Sequence, residues 1–162
     1  MPSLNRRALL ASTGTVALGG LAGCGFLSDQ SLPAGSLRFD NNHDLPHSIR
    51  LEVTDVGDVP GDEPGEVTGD VVAPPMQRNL TAATTVDPAE SETYESVFTE
   101  SVWYGIQFEL DGEIPPDNSG TTVFNPADAA GGTWEVLTGK VYESGEFSWV
   151  VSTTDNPGQF DT

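Results

Sequence analysis

The sequence predicts an all-β fold, an antiparallel β-sandwich of seven to eight strands, and three observations carry that prediction. Apolar and polar residues alternate with period 2, most clearly in "VWYGIQFEL", where Val102, Tyr104, Ile106, Phe108 and Leu110 face one way. Clusters of Gly, Pro, Asn and Asp cut the alternating segments into short pieces. No segment after residue 23 repeats its apolar residues with the 3.6 period of a helix. Short strands joined by frequent turns pack as two sheets face to face.

Taken in order, "SLRFD" places Leu37 and Phe39 on one strand face. "NNHDLPH" is turn chemistry, and "SIRLEVT" then sets Ile49, Leu51 and Val53 against Arg50, Glu52 and Thr54 on the opposite face. Residues 55–75, "DVGDVPGDEPGEVTGDVVAPP", read as a long acidic loop, because Pro cannot donate to a sheet ladder. A strand over Gln77–Val86, a turn in "VDPAESETY" and a strand near Thr93–Phe98 follow. After the strand at Val102–Leu110, "DGEIPPDNSG" breaks the chain, "TTVF" forms a short strand, and "NPADAAGG" breaks it again.

The last element is a hairpin, "TWEVLTGKVY" and "FSWVVSTT" joined by "ESGE". Phe147, Trp149 and Val151 share a face. In the partner strand Trp134 and Val136 fit one phase, Leu137 and Val141 the other, and a bulge near Gly139 reconciles them. Trp103 falls opposite the apolar row of its strand, where it either covers the second side of the sandwich or meets a partner. The sandwich is thus expected over residues 36–155, with a tail at 156–162.

The first 23 residues differ from all that follows. They hold no Asp or Glu, and their only charged side chains are Arg6 and Arg7, ahead of the weakly apolar "ALLASTGTVALGGLAG". A positive start, a short apolar middle and small residues at the end make a secretory signal removed on maturation. That run falls short of the ~20 apolar residues that span a bilayer, and Ser, Thr and Gly dilute it. "NRRALL" resembles a twin-arginine export signal. "LAGC", ending at Cys24, resembles a lipobox, in which the cysteine takes a lipid thioether and becomes the new amino terminus. The resemblance implies export of a folded domain, attachment at Cys24, and a polar tether over residues 24–35. The membrane is then a partner through the lipid, and anchors of this kind carry the two chains needed to hold firmly. Cys24 is the only cysteine, so the mature domain has no internal disulfide.

Without those 23 residues the chain keeps four basic side chains (Arg38, Arg50, Arg78 and Lys140) against 25 acidic ones, a net charge of −21. Self-repulsion of that size weakens a compact state at low ionic strength. At about 1 M salt the Debye length is ~3 Å, and the same charges scarcely sense each other. Abundant carboxylate with almost no lysine resembles proteins of extreme halophiles, for which solvent cations are the constant partners. No basic patch exists to displace counterions from phosphates, which removes nucleic acid as a partner. Three tryptophans and long alternating segments set the domain apart from an acidic disordered chain.

"SVWYGIQFEL" resembles the tyrosine-bearing strand of immunoglobulin-type domains, with Tyr104 at the tyrosine and Ile106 where a cysteine would sit. The order of segments over residues 35–154 is similar to small immunoglobulin-like domains of haloarchaeal lipoproteins. The sandwich is therefore expected to be immunoglobulin-like or cupredoxin-like.

Candidate sites are few. His43 and His47, the only histidines, flank Asp44 and Pro46 and suit either a satisfied turn or a copper or zinc ligand pair. A blue-copper centre also needs a thiolate, and Cys24 is committed to lipid; Met76 sits in a Pro-rich segment without ligands beside it. Asp55, Asp58, Asp62, Glu63 and Glu66 offer oxygen to calcium but lack the alternating spacing of an EF-hand loop. No nucleophile elbow, phosphate loop or zincin helix is present, so the chain is read as non-catalytic. "NLT" makes Asn79 a glycosylation acceptor in an exported chain. The expected function is a cell-surface lipoprotein that acts as a binding or accessory module, its partner a surface protein or membrane complex. No cofactor beyond the lipid is expected. The alternative is a cupredoxin-like metal or electron-transfer protein using His43 and His47.

Overall fold

Ten strands, one α-helical turn and a 3-10 turn at Gly158–Phe160 are formed among the residues described by the computed structural model, 31–127 and 133–160. In chain order they are β1 (Leu37–Asn41), β2 (His47–Gly57), β3 (Val59–Pro60), β4 (Val67–Thr68), α1 (Pro75–Arg78), β5 (Thr81–Val86), β6 (Ser91–Tyr94), β7 (Trp103–Leu110), β8 (Thr121–Phe124), β9 (Trp134–Val141) and β10 (Phe147–Thr154). Eight strands build two four-stranded sheets, ordered β10-β9-β1-β6 and β5-β2-β7-β8, and β3 and β4 make a separate two-stranded ribbon. All pairings are antiparallel except β1 with β9, which is parallel. The predicted all-β sandwich is the fold.

The alternating residues supply the core. Leu37 and Phe39 from β1 meet Leu137, Val141 and Phe147 from their own sheet, and Ile49, Leu51, Tyr104, Ile106, Phe108 and Phe124 from the other. Phe108 and Phe147 bridge the sheets with ring centroids 5.1 Å apart. Phe98 packs against Tyr104 and Phe124 at 5.0 Å each. Each large side chain fully buried in this way contributes about 1.5–3 kcal/mol.

Several boundaries differ from those the sequence predicts, each for a local reason. The acidic segment 55–75 is not all loop: β2 runs on to Gly57, and β3–β4 fold back as the ribbon. The strand expected over Gln77–Val86 begins only at Thr81, because Pro74 and Pro75 open the single turn α1. The strand expected near Thr93–Phe98 is Ser91–Tyr94, and Phe98 is buried from a turn instead. The backbone amides of Val97 and Phe98 both donate to the carbonyl of Gly35. Gly35 itself has φ +75, and a Cβ there would sit 2.2 Å from the Phe98 carbonyl oxygen. In the last hairpin the register is unbroken through Gly139, with Leu137 and Val141 in the core; the bulge lies in β2, between Val53 and Asp55.

Val136, on the other face of β9, is also buried, as are Leu32 and Ala34. Residues 31–35, expected as tether, are therefore part of the domain: the Ala34 amide donates to Asn156 and the Thr154 hydroxyl to the Leu32 carbonyl. Residues 156–160 of the expected tail dock too. Phe160 stacks on Trp134 at 5.8 Å, and Gln159 donates to the Thr99 carbonyl. Trp103 is half-buried where β7 pairs with the end of β2.

Tyr104 joins packing to polar satisfaction. Its ring is fully buried, and its hydroxyl donates to Gln77 Oε1 at 2.7 Å and to the Glu100 carbonyl at 3.3 Å while accepting from the Glu100 amide at 3.1 Å. A tyrosine hydroxyl tied to backbone just upstream is the corner found in immunoglobulin-type domains.

Burial, with the Glu100 carboxylate adding to it against the backbone bonds, pushes the Tyr104 phenol up from 10.0 to about 12. The stability this supplies is complete below pH 10 and is lost as pH rises toward 12, about 3 kcal/mol in all. Unfolding free energies from denaturant melts between pH 10 and 12 are expected to fall by that amount, and Tyr104→Phe is expected to remove the dependence. An alkaline decline of the same size in Tyr104→Phe would assign it to another group.

Candidate functional site

Strand directions give the sandwich two unlike ends. Residues 31–36, the ribbon, α1 and the 95–102 segment gather at one end, near Asn156. The turns 42–46, 87–90, 111–120 and 142–146 gather at the other. An eight-residue strand such as β9 sets the two ends ~26 Å apart. Both histidines lie at the second end.

The 42–46 turn is pinned by Asn41, fully buried, whose side-chain amide donates to the carbonyls of Leu45 and Val86 and whose oxygen accepts from the His43 amide. That holds His43 above His47, the first residue of β2. His43 Nδ1 lies 2.7 Å from His47 Nε2, the ring centroids are 5.0 Å apart, and the planes are tilted by 37°. The far side of each ring meets a carboxylate: His47 Nδ1 is 2.7 Å from Asp111 Oδ2, and His43 Nε2 is 3.2 Å from Asp44 Oδ1. The result is a chain of four groups, Asp44, His43, His47 and Asp111.

Asp111 follows β7 in a tight Asp-Gly turn, with φ +53 at Asp111 and +84 at Gly112. Its Oδ1 accepts from the Ser48 amide at 2.8 Å, and its own amide donates to the Ser48 carbonyl. Burial raises its pKa, but the bond from His47, the Ser48 amide and the His47 charge outweigh that and hold the carboxyl below its usual range. Sequence analysis missed Asp111. The Asp-Gly pair marks the turn, but nothing in the sequence places it beside a histidine 64 residues earlier.

Beside this chain lies a groove of about 460 Å³ between the 111–120 and 142–146 turns. Ile114, Pro115, Pro116 and Tyr142 supply its apolar wall, and Glu113, Asp117 and Glu146 its carboxylates. Gly145, at φ +82, brings the 142–146 turn over His43.

The other predicted sites do not converge here. Met76 is exposed on α1, at the opposite end from the histidines. Asn79 is exposed at the end of α1, its side-chain amide donating to the Pro75 carbonyl. In the acidic run, Glu66 accepts from the amides of Asp62 and Glu63 in a turn, and Asp55, in β2, accepts from Val56. Among the described residues, no group of three or more His, Cys, Asp or Glu side chains converges as a ready metal site, and no helix is long and apolar enough to cross a membrane. Arg6, Arg7 and Cys24 lie outside the described residues. No family model, curated protein or solved structure matches the chain.

Proposed function

We propose that this chain is a membrane-anchored cell-surface lipoprotein of a halophile, a non-catalytic binding or accessory module carried on a lipid at Cys24. The observation that carries the reading is the order of Arg6, Arg7, a short diluted apolar run and a lone cysteine, followed by "GFLSDQS". The two-ended sandwich supports it. The described chain enters at the end that holds Leu32 and Asn156, so a lipid upstream holds that end toward the membrane. The turns bearing His43, His47 and the groove then face outward, where a surface partner meets them. The charge of −21 suits a domain standing in concentrated salt.

Cys24→Ser tests the anchor. Expressed in a halophilic host, the unmodified chain is expected in the membrane fraction and Cys24→Ser in the medium or soluble fraction. Retention of Cys24→Ser on membranes, or a native mass showing an intact amino terminus and an unmodified thiol, would overturn the reading.

A further inference from the structure

The geometry points to a two-imidazole site for a first-row transition cation of the Cu(II) or Ni(II) class, in which His43 Nδ1 and His47 Nε2 are the ligands and Asp44 and Asp111 orient them from behind. It does not depend on the lipid anchor.

Proton accounting gives the reason. Asp111 Oδ2, an acceptor, lies 2.7 Å from His47 Nδ1, so that nitrogen bears its hydrogen. Asp44 Oδ1, exposed and 3.2 Å from His43 Nε2, favours the hydrogen on that nitrogen by its charge, without a formed hydrogen bond. The two nitrogens left over are His43 Nδ1 and His47 Nε2, and they face each other at 2.7 Å. As neutral rings held this way, both present lone pairs to one point, and lone pairs at that distance repel. A cation between them removes the repulsion. Without a metal, one hydrogen between the two nitrogens serves, as an N–H···N bond at 2.7 Å. A metal ion serves the same purpose with two bonds in place of one.

The surroundings match what metal-ligating histidines use. A ligating imidazole donates its other N–H to a carboxylate or carbonyl, which fixes the tautomer and raises its basicity. Here His47 has that carboxylate in Asp111, and Asp44 lies within ion-pair reach of His43. The spacing also selects among ions. With metal–nitrogen bonds of ~2.0 Å, cis positions of a square-planar or octahedral ion set the nitrogens ~2.9 Å apart, and a tetrahedral ion ~3.3 Å. From 2.7 Å, the cis geometry needs the smaller parting of the rings, together with a turn of each ring that aims both lone pairs at the metal. Water fills the remaining positions. Two bonds to the metal form, the shared proton leaves to solvent, and the ion keeps its oxidation state.

The test uses the full chain without a polyhistidine tag, stripped of metal, in molar sodium perchlorate, titrated with Cu(II) and then Ni(II). We expect one equivalent of Cu(II) per chain, release of about one proton, and electron paramagnetic resonance splitting from two nitrogens. His43→Gln and His47→Gln are expected to abolish stoichiometric binding, and Asp111→Asn to weaken it about 10–100-fold. Splitting from fewer than two nitrogens, binding that survives both histidine substitutions, or no saturable equivalent would overturn the site. The resonance measurement on the unmodified chain decides the matter even if a variant fails to fold.

Discussion

Gln77→Leu is expected to lower the unfolding free energy by about 3 kcal/mol, although it keeps the volume of a residue in a one-turn helix. Gln77 is 3% exposed and serves three partners. Its Nε2 donates to the Val97 carbonyl, and its Oε1 accepts from the Thr99 amide and the Tyr104 hydroxyl. Leucine leaves the Val97 carbonyl and the Thr99 amide without these bonds, and each orphaned buried group costs about 1–3 kcal/mol. Tyr104 keeps its bonds to Glu100, which limits the loss on that side. A double-mutant cycle with Tyr104→Phe should give a coupling of about 0.5–3 kcal/mol, because the two side chains share one hydrogen bond. Chemical denaturation of the four proteins in molar salt measures both quantities. A loss below ~1 kcal/mol for Gln77→Leu would mean that water satisfies the groups it leaves.

Lowering the salt is expected to have a still larger effect. Moving the chain from about 1 M to about 0.1 M salt lengthens the Debye length from ~3 to ~10 Å. Two like charges ~8 Å apart in water repel by ~0.5 kcal/mol when unscreened, and 25 carboxylates on one small domain make many such pairs. The opposing attraction is small. Arg38 pairs with Asp40 in the same strand, Arg50 lies between Glu52 and Glu109, and Arg78 donates to backbone carbonyls. The summed loss on dilution is several kcal/mol, comparable with the ~5–15 kcal/mol that holds a domain folded. The thermal midpoint is therefore expected to fall steeply with dilution, and equal water activity set with sucrose should restore only part of it, because sucrose strengthens burial but screens no charge. A midpoint that stays level from 1 M to 0.1 M would refute the electrostatic account.

The sequence by itself determined the parts of this protein that depend on neighbours in the chain. Period 2 in Val102–Leu110 and Ile49–Val53 decides which side chains face the core, since successive residues point to opposite faces. The Pro and Gly clusters decide where strands stop. The charge balance is pure composition, and the amino-terminal pattern is readable only from sequence. Where local signals competed, the reading drifted. Proline marked 55–75 as loop, but a two-stranded ribbon needs so few ladder bonds that Val59–Pro60 pairs with Val67–Thr68 all the same. Gly139 invited a bulge, yet the flat register of β9 on β10 holds because Phe147 and Phe108 fill the space its missing side chain leaves.

Only the tertiary structure decided what distant residues do together. Asp111 meets His47 across 64 residues because β2 and β7 are paired with a register that sets Ile49 opposite Leu110. His43 reaches His47 because buried Asn41 fixes the turn between them. Gln77 becomes a buried hub because α1 folds against the 95–100 segment and β7. Strand pairing between remote segments is cooperative and non-local, so its register is written in the packed sheet and not in any stretch of chain.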